Sequence, residues 1–223
     1  MTSAAPIVGF SEMTNLRGLV NGAARESGER VVVRPARPDD CGEIARLFLI
    51  ASDGLAEYIW SRIAPVGAPL LEVGRRRYAR EGVDFSYQNC LVAEQDGRVV
   101  AMVHSYPMLP REETANGSGE RPDPVLQPYA ELEDPGSLYV AGLAVYPEHR
   151  GRSLGRRLLA EVRARAETFG LPRVSLICFE HNERAMQLYR RLGFVEVDRR
   201  PVVPHPCLPY GEGDALLLVR GLD

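Results

Sequence analysis

No apolar run in this 223-residue chain approaches the roughly 20 residues that a membrane-spanning helix needs. The N-terminus lacks a basic segment followed by a long apolar core, so no signal peptide is evident. The four cysteines, Cys41, Cys90, Cys178 and Cys207, lie far apart with no CxxC pair. That excludes a small disulfide-stapled fold and a structural zinc module, and leaves reduced, buried thiols. Four scattered histidines do not make a metal site, and no metal is expected. An excess of positive charge is also missing: 27 Lys+Arg against 30 Asp+Glu give a formal net charge of −3. A broad basic face for nucleic acid is therefore not expected. The basic side is carried by arginine, so local arginine clusters still matter. Hydrophobic residues at 45% suffice for the core of one domain. The composition points to a soluble cytoplasmic domain with no membrane partner.

Residues 1–30 are interrupted by Gly9, Gly18, Gly22 and Gly28 and read as an N-terminal extension, loose or packing late. The folded domain is expected over 31–223. Val31-Val32-Val33-Arg34 is a β-branched strand stopped by Pro35. Asp40 with Glu43 suggests a capping box for a helix that buries Ile44, Leu47 and Phe48 and ends at Gly54. Residues 55–80 read as two helical pieces divided by Pro65, Gly67 and Pro69. Asp96-Gly97 between apolar runs is a hairpin signal. Residues 110–136 read as a long loop rich in proline and glycine. Strand and helix then alternate: a strand over 137–145, an amphipathic helix over 150–169 with Leu154, Leu158, Leu159, Val162, Ala166 and Phe169 on its apolar face, and a strand over 174–179. Asn182 caps a helix that runs to Leu192 and stops at Gly193. A strand from Phe194, a proline-rich loop and a strand over 215–219 complete the chain. The order predicts an α/β fold, one mixed sheet with helices on both faces.

Chemistry concentrates in Val145-Tyr146-Pro147-Glu148-His149-Arg150-Gly151-Arg152-Ser153-Leu154-Gly155-Arg156-Arg157. A strand ends there, a short loop follows, and a helix begins. The first turn of a helix leaves backbone N–H groups without partners, and its dipole is positive at that end. Such a turn is a ready anion site. Gly151 and Gly155 allow close approach to the main chain, and Arg150, Arg152, Arg156 and Arg157 add positive potential. The loop is neither Walker A nor the dinucleotide GxGxxG. Taken alone it is equally an ordinary turn into an arginine-rich helix.

A second segment, Asn182-Glu183-Arg184-Ala185-Met186-Gln187-Leu188-Tyr189-Arg190-Arg191-Leu192-Gly193-Phe194, also follows a strand. Together the two resemble the GNAT superfamily of acyl-CoA-dependent N-acetyltransferases. Arg150 to Gly155 is similar to the family's acetyl-CoA signature, R/Q-x-x-G-x-G/A. Asn182, Ala185, Leu188, Tyr189, Gly193 and Phe194 match its N-x-x-A-x-x-L-Y-x-x-x-G-F segment. The resemblance covers roughly 31–220, with one departure: Ser153 stands at the signature's first glycine. It implies a mixed, mostly antiparallel sheet, acetyl-CoA as cosubstrate and an amine as acceptor. Leu143, Ala144 and Val145 would lie along the pantetheine arm. The loop amides from Arg150 or Gly151 through Arg152, Ser153, Leu154, Gly155 and Arg156 would hold the pyrophosphate. Asn182 would contact the arm, with Ala185 on the same helix face. Tyr189 would protonate the departing thiolate. A phenol of pKa about 10 can donate to a thiolate of pKa about 8.5 without being ionised at neutral pH.

The residue that deprotonates the amine is not marked. Glu131, Glu133, Asp134 and His104 are candidates, each also readable as a solubilising or structural residue. Tyr58, Trp60, Arg62 and Tyr106 are candidates for the acceptor pocket, equally readable as core. Two function classes follow: an N-acetyltransferase acting on a primary amine, and a non-catalytic acyl-CoA-binding sensor or interaction module. By analogy with the family, two copies could pair through the C-terminal strands.

Overall fold

The computed structural model describes residues 31–109 and 123–222. The proposed extension at 1–30 and the 110–122 stretch of the expected loop lie outside the described residues. The strands are β1 (Val32–Pro35), β2 (Cys90–Gln95), β3 (Arg98–Met108), β4 (Ser137–Val145), β5 (Arg173–Phe179), β6 (Val195–Pro201) and β7 (Asp214–Gly221). The α-helices are α1 (Cys41–Ala51), α2 (Leu55–Ile63), α3 (Leu70–Tyr78), α4 (Gln127–Glu131), α5 (Leu154–Thr168) and α6 (Glu183–Arg191). The strands form one seven-stranded sheet in the order β1-β2-β3-β4-β5-β7-β6. Neighbours are antiparallel except β4 and β5, which are parallel.

Strand alternation divides the core. Residues two apart share a face. Leu91, Ala93, Ala101 and Val103 pack against Leu154, Leu158 and Val162 of α5. Cys90, Val92 and Met102 face the other way, onto Ile44, Leu47, Phe48, Trp60 and Tyr78 of α1 to α3. The mixed sheet with helices on both faces is therefore the fold found.

One bulge shapes the site. His104 pairs with Gly142 and Ser105 with Val140, so Ala141 has no partner on β3. The extra residue inverts the alternation. Leu138 and Val140 before it, and Leu143 and Val145 after it, all join the α5-side cluster. Gly142 is required there, because a Cβ would lie 2.9 Å from the Phe48 ring. Beside the bulge the sheet splits. β4 pairs with β5 only from Leu138–Val174 to Val140–Leu176. Ser137 and Ser175 pin that end through a buried 2.6 Å hydroxyl–hydroxyl hydrogen bond. Arg173 grips Asp134 alongside, with hydrogen bonds of 2.8 and 2.7 Å. From Ala141 to Val145, β4 has no strand partner on the β5 side among the described residues.

Several local expectations are corrected. The helix expected from 150 begins at Leu154, because Pro147–His149 is a 3-10 turn and Gly151 and Ser153 have φ of +80° and +59°. Phe169, expected on the apolar face, is 46% exposed at the C-cap, with the Arg165 guanidinium 5.7 Å from its ring. The Asp40–Glu43 capping box does not form. The Asp40 carboxylate accepts from Arg34 at 2.7 Å and from the Arg37 N–H at 2.7 Å. Glu43 instead accepts a hydrogen bond from the Tyr146 hydroxyl at 2.6 Å. The expected loop holds a helix, α4 at 127–131, and Asp123 accepts from the Val125 N–H through its carboxylate and from the Gln127 N–H through its carbonyl, each at 2.9 Å. Among the described residues no helix is long and apolar enough to cross a membrane. None of their His, Cys, Asp and Glu side chains gather in threes to hold a metal ion.

Candidate active site

The split between β4 and β5 opens into a cavity of about 1190 Å³. Its wall on one side is the unpartnered edge of β4, where Leu143, Ala144 and Val145 line the space. Its mouth is the start of α5. Arg150, Gly151, Ser153, Leu154, Gly155 and Arg156 line it, whereas Arg152 lies outside the lining. Ser153 is the N-cap residue, left-handed, and its side chain makes no capping bond. The first backbone bond back into the helix is Arg157 N–H to the Ser153 carbonyl, at 3.1 Å. The N–H groups of residues 153–156 therefore precede the intrahelical ladder and point out of the helix end. Arg150 is arranged differently. Its amide bonds to the Pro147 carbonyl at 3.2 Å and its Nε to the Val145 carbonyl at 3.0 Å. It contributes a side chain to the mouth, and not a free amide.

The opposite wall is α6. Asn182 caps it by accepting from the Ala185 N–H at 3.2 Å. Ala185, Leu188 and Tyr189 line the cavity on the same face. Tyr189 is buried, with its ring edge-on to Phe194 at 5.6 Å between centroids. Its hydroxyl makes no hydrogen bond to any described residue. Burial pushes the phenol above its ordinary value, and Cys178, Asp53 and Tyr139 nearby act in the same direction. The hydroxyl thus keeps its proton at neutral pH. Cys178 also lines the cavity, and burial pushes its thiol up to about 12. A thiolate nucleophile is not available there at neutral pH.

The four candidates for the base separate clearly. Glu131 is exposed and bonded to Arg200 and Gln127, and Asp134 is held by Arg173. His104 is fully buried outside the cavity lining. Its Nε2 lies 2.9 Å from the Asp84 carbonyl and its Nδ1 3.2 Å from the Tyr78 hydroxyl. A carbonyl only accepts, so Nε2 carries the proton and Nδ1 accepts a hydrogen bond from the Tyr78 hydroxyl. Burial lowers this imidazole to about 4, and the ring stays neutral within its cage of Phe48, Tyr78, Phe85 and Tyr106. Only Glu133 of the four lines the cavity. Of the acceptor-pocket candidates, Trp60 and Tyr106 line it. Tyr58 and Arg62 are tied to Asp123, the first by a 2.8 Å hydrogen bond and the second by a 3.5 Å ion pair.

Two lining residues carried no signal in a local motif. Asp53 sits in the turn between α1 and α2 with φ +46°, followed by Gly54 at φ +86°. A Cβ at Gly54 would fall 1.9 Å from the Cys207 carbonyl oxygen, so only glycine lets the turn pack there. Tyr129, on α4, has a buried hydroxyl with no hydrogen-bond partner among the described residues.

Comparison with known proteins agrees with this architecture. The family model described as Acetyltransferase (GNAT) family matches residues 59–194. A thialysine N-epsilon-acetyltransferase of Bos taurus is 27% identical over 165 residues, 73% of this chain and 83% of that protein. The N-acetyltransferase YycN of Bacillus subtilis (strain 168), itself uncharacterized, is 32% identical over 71 residues. That match spans 31% of this chain and 46% of the relative, less than half its length. An N-acetyltransferase structure from Staphylococcus aureus Mu50 superposes with TM-score 0.58 at 21% identity, covering 85% of this chain and all (100%) of that one. The structure of yncA from Salmonella typhimurium with its cofactor acetyl-CoA gives 0.56 at 18% identity, covering 86% and 94%. The chain belongs to the GNAT acetyltransferase family.

Proposed function

We propose that the protein transfers an acetyl group from acetyl-CoA to a primary amine, by direct attack within a ternary complex in the cytoplasm. The observation that carries this reading is the unpartnered β4 edge at 141–145 lying beside the start of α5. Such an edge offers backbone groups to an extended, amide-bearing chain, as a strand would. The N–H groups of residues 153–156 suit a diphosphate at a helix N-terminus. The residues present therefore fit a CoA thioester, which supplies the activated acyl group when bound.

Within that reading Leu143, Ala144 and Val145 align the pantetheine arm, and Gly151 to Arg156 hold the pyrophosphate. Arg150 and Arg156 add charge to the mouth. Asn182 and Ala185 bound the arm on the α6 side. A β4 amide stabilises the oxyanion, and Tyr189 gives its proton to the leaving sulfur. No cysteine is acylated.

The test is an amine panel with acetyl-CoA, following thiol release and the mass of the product. Thialysine leads the panel because the bovine relative is named for it. Amide formation with at least one amine is expected. Tight acetyl-CoA binding without transfer to any amine would identify a non-catalytic binding module instead.

A further inference from the structure

Arginine neutralises most of the partly buried carboxylates in this molecule. Arg34 takes Asp40, Arg62 takes Asp123, Arg173 takes Asp134 and Arg200 takes Asp198. Asp53 is an exception. It lines the cavity, and among the described residues its hydrogen-bond partner is a neutral amide, Asn182 Nδ2 at 2.9 Å. No arginine or histidine among those residues forms an ion pair with it. Around it stand Tyr129 from α4, Cys178 from β5, Tyr189 from α6 and Tyr210 from the β6–β7 connection, each coupled electrostatically to its carboxylate. The Tyr129 hydroxyl is buried and has no hydrogen-bond partner among the described residues. A carboxylate among aromatic rings, with no cation of its own, is a site that a cation completes.

We infer that Asp53 receives the ammonium group of the acceptor in the cavity and takes its proton. The inference rests on the acetyl-transfer reading above. One proton passes from the ammonium nitrogen to the carboxylate. The nitrogen lone pair forms the C–N bond to the thioester carbonyl carbon, and the C–S bond breaks with its electron pair going to sulfur. The thiolate takes the Tyr189 phenolic proton. The second amine proton returns to Tyr189 through solvent, and Asp53 releases its own to water. Ammonium and thioester thus give amide, thiol and one proton. Burial raises the Asp53 carboxyl against the pull of Asn182, which makes it a better base than a solvated carboxylate.

Asp53→Asn is the informative variant. Asn tolerates a left-handed backbone and its Oδ1 can still accept from Asn182. Asp53→Gly removes the carboxylate with no backbone cost at that φ, and serves as a second probe. The measurement is kcat/KM for the amines of the panel against pH, with acetyl-CoA affinity by calorimetry. Both variants should lose about 10²- to 10⁴-fold in kcat/KM and the acidic limb of the profile. Acetyl-CoA affinity should stay within about threefold, well under one decade of binding free energy. The surrounding phenols and thiol are all raised, so they titrate on the alkaline side. The other carboxylate in the lining is Glu133, and Glu133→Gln should retain the acidic limb. Variants with undiminished kcat/KM, or loss of the limb in Glu133→Gln alone, would overturn the role of Asp53. A wild-type protein that acetylates no amine would overturn the transferase reading itself, and Asp53 with it.

Discussion

Asn182 joins two distant parts of the chain with one side chain. Its Oδ1 accepts from the Ala185 N–H and caps α6, while its Nδ2 donates to Asp53 Oδ2 at 2.9 Å, across 129 positions of sequence. The helix that carries Tyr189 is thereby tied to the turn that carries Asp53. The bond opposes the desolvation of the Asp53 carboxylate without cancelling it.

That imbalance has a stability signature. The folded chain holds the Asp53 proton more tightly than the unfolded chain does. Stability therefore falls as pH rises from the ordinary carboxylate value through the raised folded value, and levels off above it. Asp53→Asn removes this loss and keeps the hydrogen bond. Thermal melts at pH 4 and pH 7 should show the variant gaining on the wild type toward neutral pH. A variant that loses ground between those two values would contradict a desolvated carboxylate.

Ser153 adopts a left-handed backbone at the start of α5, with φ +59° and ψ +17°. A non-glycine residue pays roughly 1–2 kcal/mol for that conformation. Ser153→Gly should leave stability unchanged or raise it by about 1 kcal/mol. CoA binding should be retained or tightened. Ser153→Phe should block binding by intruding at the mouth. A folded Phe variant with an unchanged CoA dissociation constant would remove the diphosphate from this turn.

Tyr189→Phe keeps the buried ring and its packing on Phe194 and removes only the hydroxyl. Turnover should fall about 10²- to 10⁴-fold, the usual worth of general acid catalysis. The hydroxyl has no hydrogen-bond partner among the described residues, so no buried group is orphaned and the melting temperature should hold. Steady-state kinetics beside thermal melts decide it. Undiminished turnover would leave water or another group to protonate the sulfur.

The parts of the cavity that short local patterns carry were legible in the sequence. Arg150 to Gly155 and Asn182 to Phe194 each combine a strand end, a loop and a helix start in one continuous stretch. The structure sets both beside the cavity: all of the first stretch but Arg152 lines it, and Asn182, Ala185, Leu188 and Tyr189 of the second do. Helix faces were legible for the same reason, since Leu154, Leu158 and Val162 repeat at helical spacing. Phe169 fits that period, but the helix ends before it can be buried. Asp40 and Glu43 have capping-box spacing, yet Arg34 and Tyr146, remote or on another strand end, compete for both carboxylates more strongly. Asp53 and Tyr129 were invisible because tertiary packing of α1, α4 and α6 alone brings them together. The bulge at Ala141 was hidden too, since a change of alternation shows only against a partner strand.

We propose that the split between β4 and β5 is a CoA site whose diphosphate rests on the start of α5. Calorimetric titration of the full chain with CoA and, separately, with pantetheine tests it most directly. Charge-assisted hydrogen bonds are worth about 1.5–3 kcal/mol each. CoA should therefore bind about tenfold more tightly than pantetheine, or better, with Ser153→Phe abolishing the difference. Equal affinity for the two ligands, or no binding of either, would contradict the account.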